Sequence, residues 1–156
     1  MVTGNVETAE ELISDLNARV EKVEDAISEA ESTPTVFYEL DATDPSNPWT
    51  AGSGTFIDLI ISAAGGTNAA ADLQGDYAQM SAEALIDADP DVIVLGDAPF
   101  GVTPECVGQR GGWEGLSAVV NGGVYPFNPD ILSIPGPRLV DGLEEMAKIL
   151  HPELLN

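Results

Sequence analysis

The chain has 156 residues and carries 27 Asp plus Glu against 5 Lys plus Arg, a net charge of −22. A surface this negative repels phosphate backbones and anionic lipid, which argues against nucleic-acid binding and direct adsorption to membranes. With 44% hydrophobic residues and a mean hydropathy near zero (+0.05), the chain can still bury a core, unlike an acidic disordered polymer.

The acids are spread along the sequence rather than gathered in a tail, and only two lysines occur, Lys22 and Lys148. Adaptation of the whole surface to high salt, as in halophiles, is the simplest cause, because salt screens the self-repulsion. A specific cation-binding surface is the alternative. Cys106 is the single cysteine, which excludes an intrachain disulfide framework and a four-cysteine zinc site. There is no apolar run of membrane-spanning length, and acids by Glu7 leave no visible signal peptide. The abrupt start suggests a fragment.

From Val6 to Ala30, apolar residues recur at spacings of three and four (Val6, Ala9, Ile13, Leu16, Val20, Val23, Ile27, Ala30), which predicts one long helix. Thr3 or Asn5 is the candidate cap. A coiled coil is one reading of the narrow stripe, and a long helix docked on a domain or bridging two domains is the stronger one. Val36 to Leu40 reads as a strand. Asp41 to Gly54 reads as a loop interrupted by Trp49, and Thr55 to Ala64 as a helix stopped by Gly65-Gly66.

A short strand is expected within Asn68 to Leu73, then a loop holding Tyr77 and a helix from Ser81 to Ala88. Val92 to Leu95 is uninterruptedly apolar, as in a parallel strand covered on both faces. A short helix from Trp113 to Val119, a strand from Val124 to Phe127, a loop from Asn128 to Pro137 and a final helix with Leu139, Leu143, Met146, Ala147 and Leu150 inward complete the chain. This alternation predicts an α/β fold, a three-layer αβα sandwich around a mainly parallel sheet.

Ligands of open α/β sheets sit beyond the carboxyl ends of the strands. The loops there contain Trp49, Tyr77, Asp97, Phe100, Asp130, Ile131 and Leu132, and aromatics with few charges suit a bulky, partly apolar ligand. For Trp49 and Tyr77 a structural lid is the competing role, and for Asp97 a cap. Catalytic chemistry is poorly supported, so no catalytic and no metal residue is expected. His151, the lone histidine, lies beside Pro152 and reads as a helix-end residue. Gly52-Ser53-Gly54-Thr55 lacks the lysine of a phosphate loop and reads as a turn with an N-cap. Cys106 reads as an ordinary thiol.

Four segments in order carry a family resemblance: Gly52 to Ile60 leading to Ala64-Gly65-Gly66-Thr67-Asn68; Tyr77 to Leu85 leading to Asp89-Pro90-Asp91-Val92-Ile93-Val94; Trp113 through Asn121-Gly122-Gly123-Val124-Tyr125; and Pro135-Gly136-Pro137-Arg138 into Leu143. Together they resemble the C-terminal lobe of the ABC-transporter substrate-binding proteins for vitamin B12, ferric siderophores and heme. The division implied is a connecting helix over 1–31 and an α/β lobe over 32–156.

The resemblance implies ligand capture in a cleft between two lobes, delivery to a permease with its ATPase subunits, no enzymatic activity and no intrinsic cofactor. Its ligand would be a corrinoid such as cobalamin (vitamin B12) or a ferric siderophore. It places Trp49, Tyr77, Ile131 and Leu132 at the ligand, with Asp97 beside them from its strand-end position, and Glu83 at the permease. Arg138 would be structural, with Pro137 in the first turn of the last helix. It further implies a missing N-terminal lobe, a lipid-anchored full-length protein on the extracellular face of the membrane, and a fragment whose bare helix stripe dimerises or swaps. A metal-cluster or enzyme-accessory domain on the same fold, and a non-catalytic cell-surface structural module, are the alternatives.

Overall fold

In a computed structural model the protein is described over residues 5–134 and 136–155. The first helix, α1 (Val6–Ile27), follows Asn5, whose side chain makes no capping bond; Thr3 lies outside the described residues. It ends three residues short of Ala30, where Ser28 turns back and its hydroxyl donates to Asp25 O. The apolar stripe is used unevenly: Val23 is buried, Val20 and Ile27 are half-buried, and Val6 and Ile13 are exposed.

The central strand β1 (Thr35–Asp41) pairs parallel with β5 (Val92–Leu95), which pairs parallel with β6 (Val124–Pro126). Its other edge is shared. β3 (Thr67–Asn68) runs parallel beside its start, and β2 (Trp49–Ala51) runs antiparallel beside its end. β4 (Tyr77–Gln79) then pairs antiparallel with β2. Two segments read as loops therefore contain strands. Each is only three residues long, too short for alternation to show among Pro, Gly and Asp. Thr50 secures the first by donating its hydroxyl to Tyr38 O.

Helices cover both faces. On one lie α1, α2 (Phe56–Ala63), α6 (Asp130–Ser133) and α7 (Leu139–Leu150), which bury Ile57, Ile61, Leu143, Met146 and Leu150 against Val36, Tyr38 and Val94. On the other lie α3 (Ala82–Ala88), α4 (Pro104–Val107) and α5 (Ser117–Val120), with Leu85, Val107, Trp113 and Leu116 against Phe37, Ile93 and Leu95. The αβα sandwich with a mainly parallel sheet is thus present.

Local chemistry explains the boundaries. Thr55 and Ser81 cap α2 and α3 by accepting from the N–H groups of Asp58 and Ala84, an interaction worth about 1 kcal/mol. Asp89 ends α3 in a left-handed conformation, and its carboxylate accepts from Ser117 N and Oγ. The expected helix from Trp113 begins only at Ser117, because the glycine-rich stretch before it turns at Gly112 with φ +87° and Leu116 is extended. Pro137 precedes α7 rather than lying in its first turn, and Arg138 is the N-cap residue. Pro135, the first residue of the Pro-Gly-Pro-Arg segment, lies outside the described residues.

Candidate functional site

The carboxyl ends of β1 and β5 open into a hollow of about 420 Å³ lined by Leu40, Asp41, Ala42, Thr43, Asp97, Phe100 and Val102. The parallel strands β1 and β5 end side by side here, so side chains and loops converge on one rim. Phe100, on the 3-10 turn Ala98–Phe100 that follows β5, is 87% exposed, an unusual position for a phenylalanine. Leu40 and Val102 add apolar wall, while Thr43 and Asp41 form a polar lip in which Asp41 accepts from Thr43 N.

The antiparallel pair β2–β4, two strands separated along the chain by α2 and β3, stands beside this rim. Trp49 is in register with Asp41, and Tyr77 with Ala51, which places Trp49 and Tyr77 diagonally on one face of the pair. Both rings are about half exposed. Behind the pair, Met80 N donates to Pro48 O and Ala82 N to Ser46 O, fastening the start of α3 to the loop before β2. Glu83, in the first turn of α3, is exposed at that end.

Asp97 forms part of the hollow's floor. Its residue is 6% exposed, and Oδ2 accepts from Ala42 N at 3.4 Å. Oδ1 is buried and receives no N–H or hydroxyl. The Asp97 side chain lies beside the carboxyl of Glu39, which is fully buried and held by both arms of Arg110 at 2.5 and 2.8 Å. Burial pushes the Glu39 carboxyl up to about 7, with Arg110 opposing the shift, and burial raises Asp97 as well. The Arg110 guanidinium also lies over the Trp113 ring, 4.6 Å from its centroid.

Of the residues expected at a ligand, the structure brings Trp49 and Tyr77 to one exposed face and Asp97 under the adjoining hollow. It spends Ile131 and Leu132 on the core. They form α6, both are over nine-tenths buried, and Gly142 of α7 packs directly on the Leu132 side chain and Ile131 O. Their side chains face the interior because α6 must cover the sheet where α7 begins. Sequence reasoning missed Glu39 and Arg110. The available signal was an acid inside the apolar run Val36 to Leu40, a position that demands a partner.

His151 caps the end of α7 as read, yet is 1% exposed, with its ring nitrogen Nε2 3.3 Å from Gly65 O, far down the chain from the hollow. Cys106 is exposed; its thiol donates to Thr103 O and accepts from Thr103 N. Among the described residues, no group of three His, Cys, Asp or Glu side chains is placed to hold a metal ion, and no helix is long and apolar enough to cross a membrane.

A family model described as periplasmic binding protein matches residues 1–130. The chain belongs to the periplasmic binding protein family. It is 36% identical over 140 residues to the ABC transporter substrate-binding lipoprotein YvrC of Bacillus subtilis, a match covering 90% of this chain and 42% of that protein. It is 33% identical over 156 residues to a cobalamin-binding protein of Halobacterium salinarum, covering 96% and 41%. The chain thus spans less than half the length of these curated relatives. Among solved structures, the heme-binding protein RhuT of Roseiflexus superposes with a TM-score of 0.80 at 26% identity, covering 96% of this chain and 57% of that one. The vitamin B12 binding protein BtuF of Vibrio cholerae gives 0.78 at 26%, covering 96% and 56%.

Proposed function

We propose that this periplasmic binding protein chain is one lobe of the substrate-binding component of an ABC importer, and that its cargo is a corrinoid or a ferric siderophore. The cargo is bound and handed on without chemical change. The observation that carries the reading is the hollow at the ends of β1 and β5, walled by Phe100 and flanked by the exposed Trp49 and Tyr77. A hollow that sets apolar wall (Leu40, Phe100, Val102) beside a few placed polar groups (Asp41, Thr43, Asp97) is the usual architecture for a bulky organic ligand. The relatives named as cobalamin-binding, heme-binding and vitamin B12 binding support the class of cargo.

In this reading α1 connects the lobe to a second one, which supplies the opposite wall of the cleft. Glu83 projects from the rim toward the permease and its associated ATPase subunits, and the protein works lipid-anchored on the extracellular face of the membrane. The lipoprotein name of the Bacillus relative supports the anchor.

The deciding experiment is a titration of the full-length protein with cyanocobalamin, ferrichrome and heme, followed by tryptophan fluorescence and calorimetry. Saturable binding of cyanocobalamin or ferrichrome is expected, weakened about tenfold by Trp49→Ala, the loss of one well-placed aromatic contact. Glu83→Arg should leave binding intact and abolish uptake in cells. Saturable binding of none of the three sinks the proposal.

A further inference from the structure

Beneath the hollow lies a polar cluster that ligand contact alone does not explain. Glu39 of β1 and Asp97, two residues beyond β5, fall on the same face of the sheet, since Glu39 is in register with Leu95. Arg110, from the turn after α4, reaches the pair from the helix layer and grips Glu39 with both arms of its fork. Such a bidentate bond fixes the carboxyl plane. Gly96 N donates to Glu39 O at 2.8 Å, so the backbones of the two strand ends are tied as well.

The cluster leads outward to the hollow. Asp97 Oδ2 accepts from Ala42 N, Oδ1 is buried and receives no N–H or hydroxyl, and the side chain as a whole lies beside the Glu39 carboxyl. Ala42 and Thr43 are themselves part of the hollow's lining. A single side chain therefore connects the buried acid to the rim.

We propose that Glu39, Asp97 and Arg110 form a positioning unit in which one proton shared by the two carboxyls holds the Ala42–Thr43 rim in its ligand-binding shape, so that ligand capture is proton-linked. This rests on the hollow being the ligand site. With the proton in place the three groups sum to zero charge, which a buried cluster tolerates. When it leaves, two carboxylates face each other over one guanidinium, and Asp97, the member nearer solvent, is driven toward the hollow. The groups facing the pair are Arg110 and, from β1, Tyr38; Cys106 of α4 faces Arg110 in turn. Burial raises the Tyr38 hydroxyl, so it keeps its proton and adds no competing titration near neutrality.

The test uses the full-length protein with cyanocobalamin and, in parallel, ferrichrome, probes with no titrating group of their own between pH 6 and 8. Affinity is expected to fall about tenfold across that range, the linkage of one proton released above neutrality. Glu39→Gln, which cannot lose the proton, should bind as wild type does at pH 6 and lose the pH dependence; Asp97→Asn should flatten the same profile. Independently of ligand, the Ala42 amide NMR signal should titrate in the wild type and stay fixed in Glu39→Gln. A flat wild-type affinity profile, or an Ala42 amide that titrates equally in wild type and variant, overturns the unit. Absence of binding of both cyanocobalamin and ferrichrome at every pH overturns the hollow as a ligand site, and the proton linkage of capture with it, whatever the Ala42 signal does.

Discussion

The two faces of the sheet are built on different principles. One is an aliphatic seal, where Ile57, Ile61, Leu143, Met146 and Leu150 close on Val36 and Val94. The other buries comparable apolar groups, Leu85, Leu95, Trp113 and Leu116, but also encloses Glu39 and Arg110. Taking an ion pair out of water costs much of what its attraction returns, so the second face is not stabilised by its charges in the way the first is by its side chains. The difference separates holding the fold from shaping the rim, since only the charged face leads through Asp97 to the hollow.

Removing one partner from each face should expose that contrast most strongly. Arg110→Met should cost about 4 kcal/mol at pH 8, where Glu39 is left buried and unpaired, and clearly less at pH 5, where it takes up a proton. Met146→Ala on the aliphatic face should cost about 3 kcal/mol at both pH values. Urea unfolding at the two pH values checks this, and equal pH dependence in the two variants would erase the distinction. The wild-type sign follows the same logic. Because the folded Glu39 carboxyl is raised from its ordinary 4.5 to about 7, the folded protein holds a proton that the unfolded chain has released. Stability therefore declines as pH climbs through that window.

Gly96 lies where the two faces meet. A Cβ there would sit 2.6 Å from Tyr38 Cε1, on the aliphatic side, and 2.9 Å from Glu39 O. Gly96→Ala should destabilise by about 2 kcal/mol through this overpacking and disturb both the Tyr38 ring and the strand ends, measurable as a lower midpoint in thermal unfolding. The smallest effect is expected at the outer edge of the aliphatic face. There Arg19 of α1 bridges Asp141 and Glu144 of α7 at 2.6 and 2.7 Å, with all three side chains partly exposed. Its hydrogen bonds to Glu144 and Asp141 raise the guanidinium and lower the Glu144 carboxyl. Arg19→Ala should cost under about 1 kcal/mol, and less still in molar salt, by calorimetry at two salt concentrations.

Periodicity made most of the scaffold legible. The stripe of α7, the apolar run of β5 and the caps Thr55 and Ser81 are each visible in a few residues. β2, β4 and α6 were not, because elements of three or four residues carry too little pattern and are held by tertiary bonds such as Thr50 Oγ1 to Tyr38 O. The site was half legible. Trp49 and Tyr77 stood out as aromatics in loop-like sequence, but Ile131 and Leu132 look the same whether they line a cleft or seal a core. The Glu39–Arg110 pair joins residues 71 positions apart, and no local signal connects them.

The divided edge of β1 has an evolutionary meaning. β3 occupies its lower end and the β2–β4 pair its upper end, so the pair adjoins β1 along one short stretch. The parallel strands β1, β5 and β6 pair without it. Its exposed side chains at positions 49, 77 and 79 can therefore be exchanged while the buried Thr50 and Ala51 stay in place, so new cargo preferences can be sampled there without putting folding at risk.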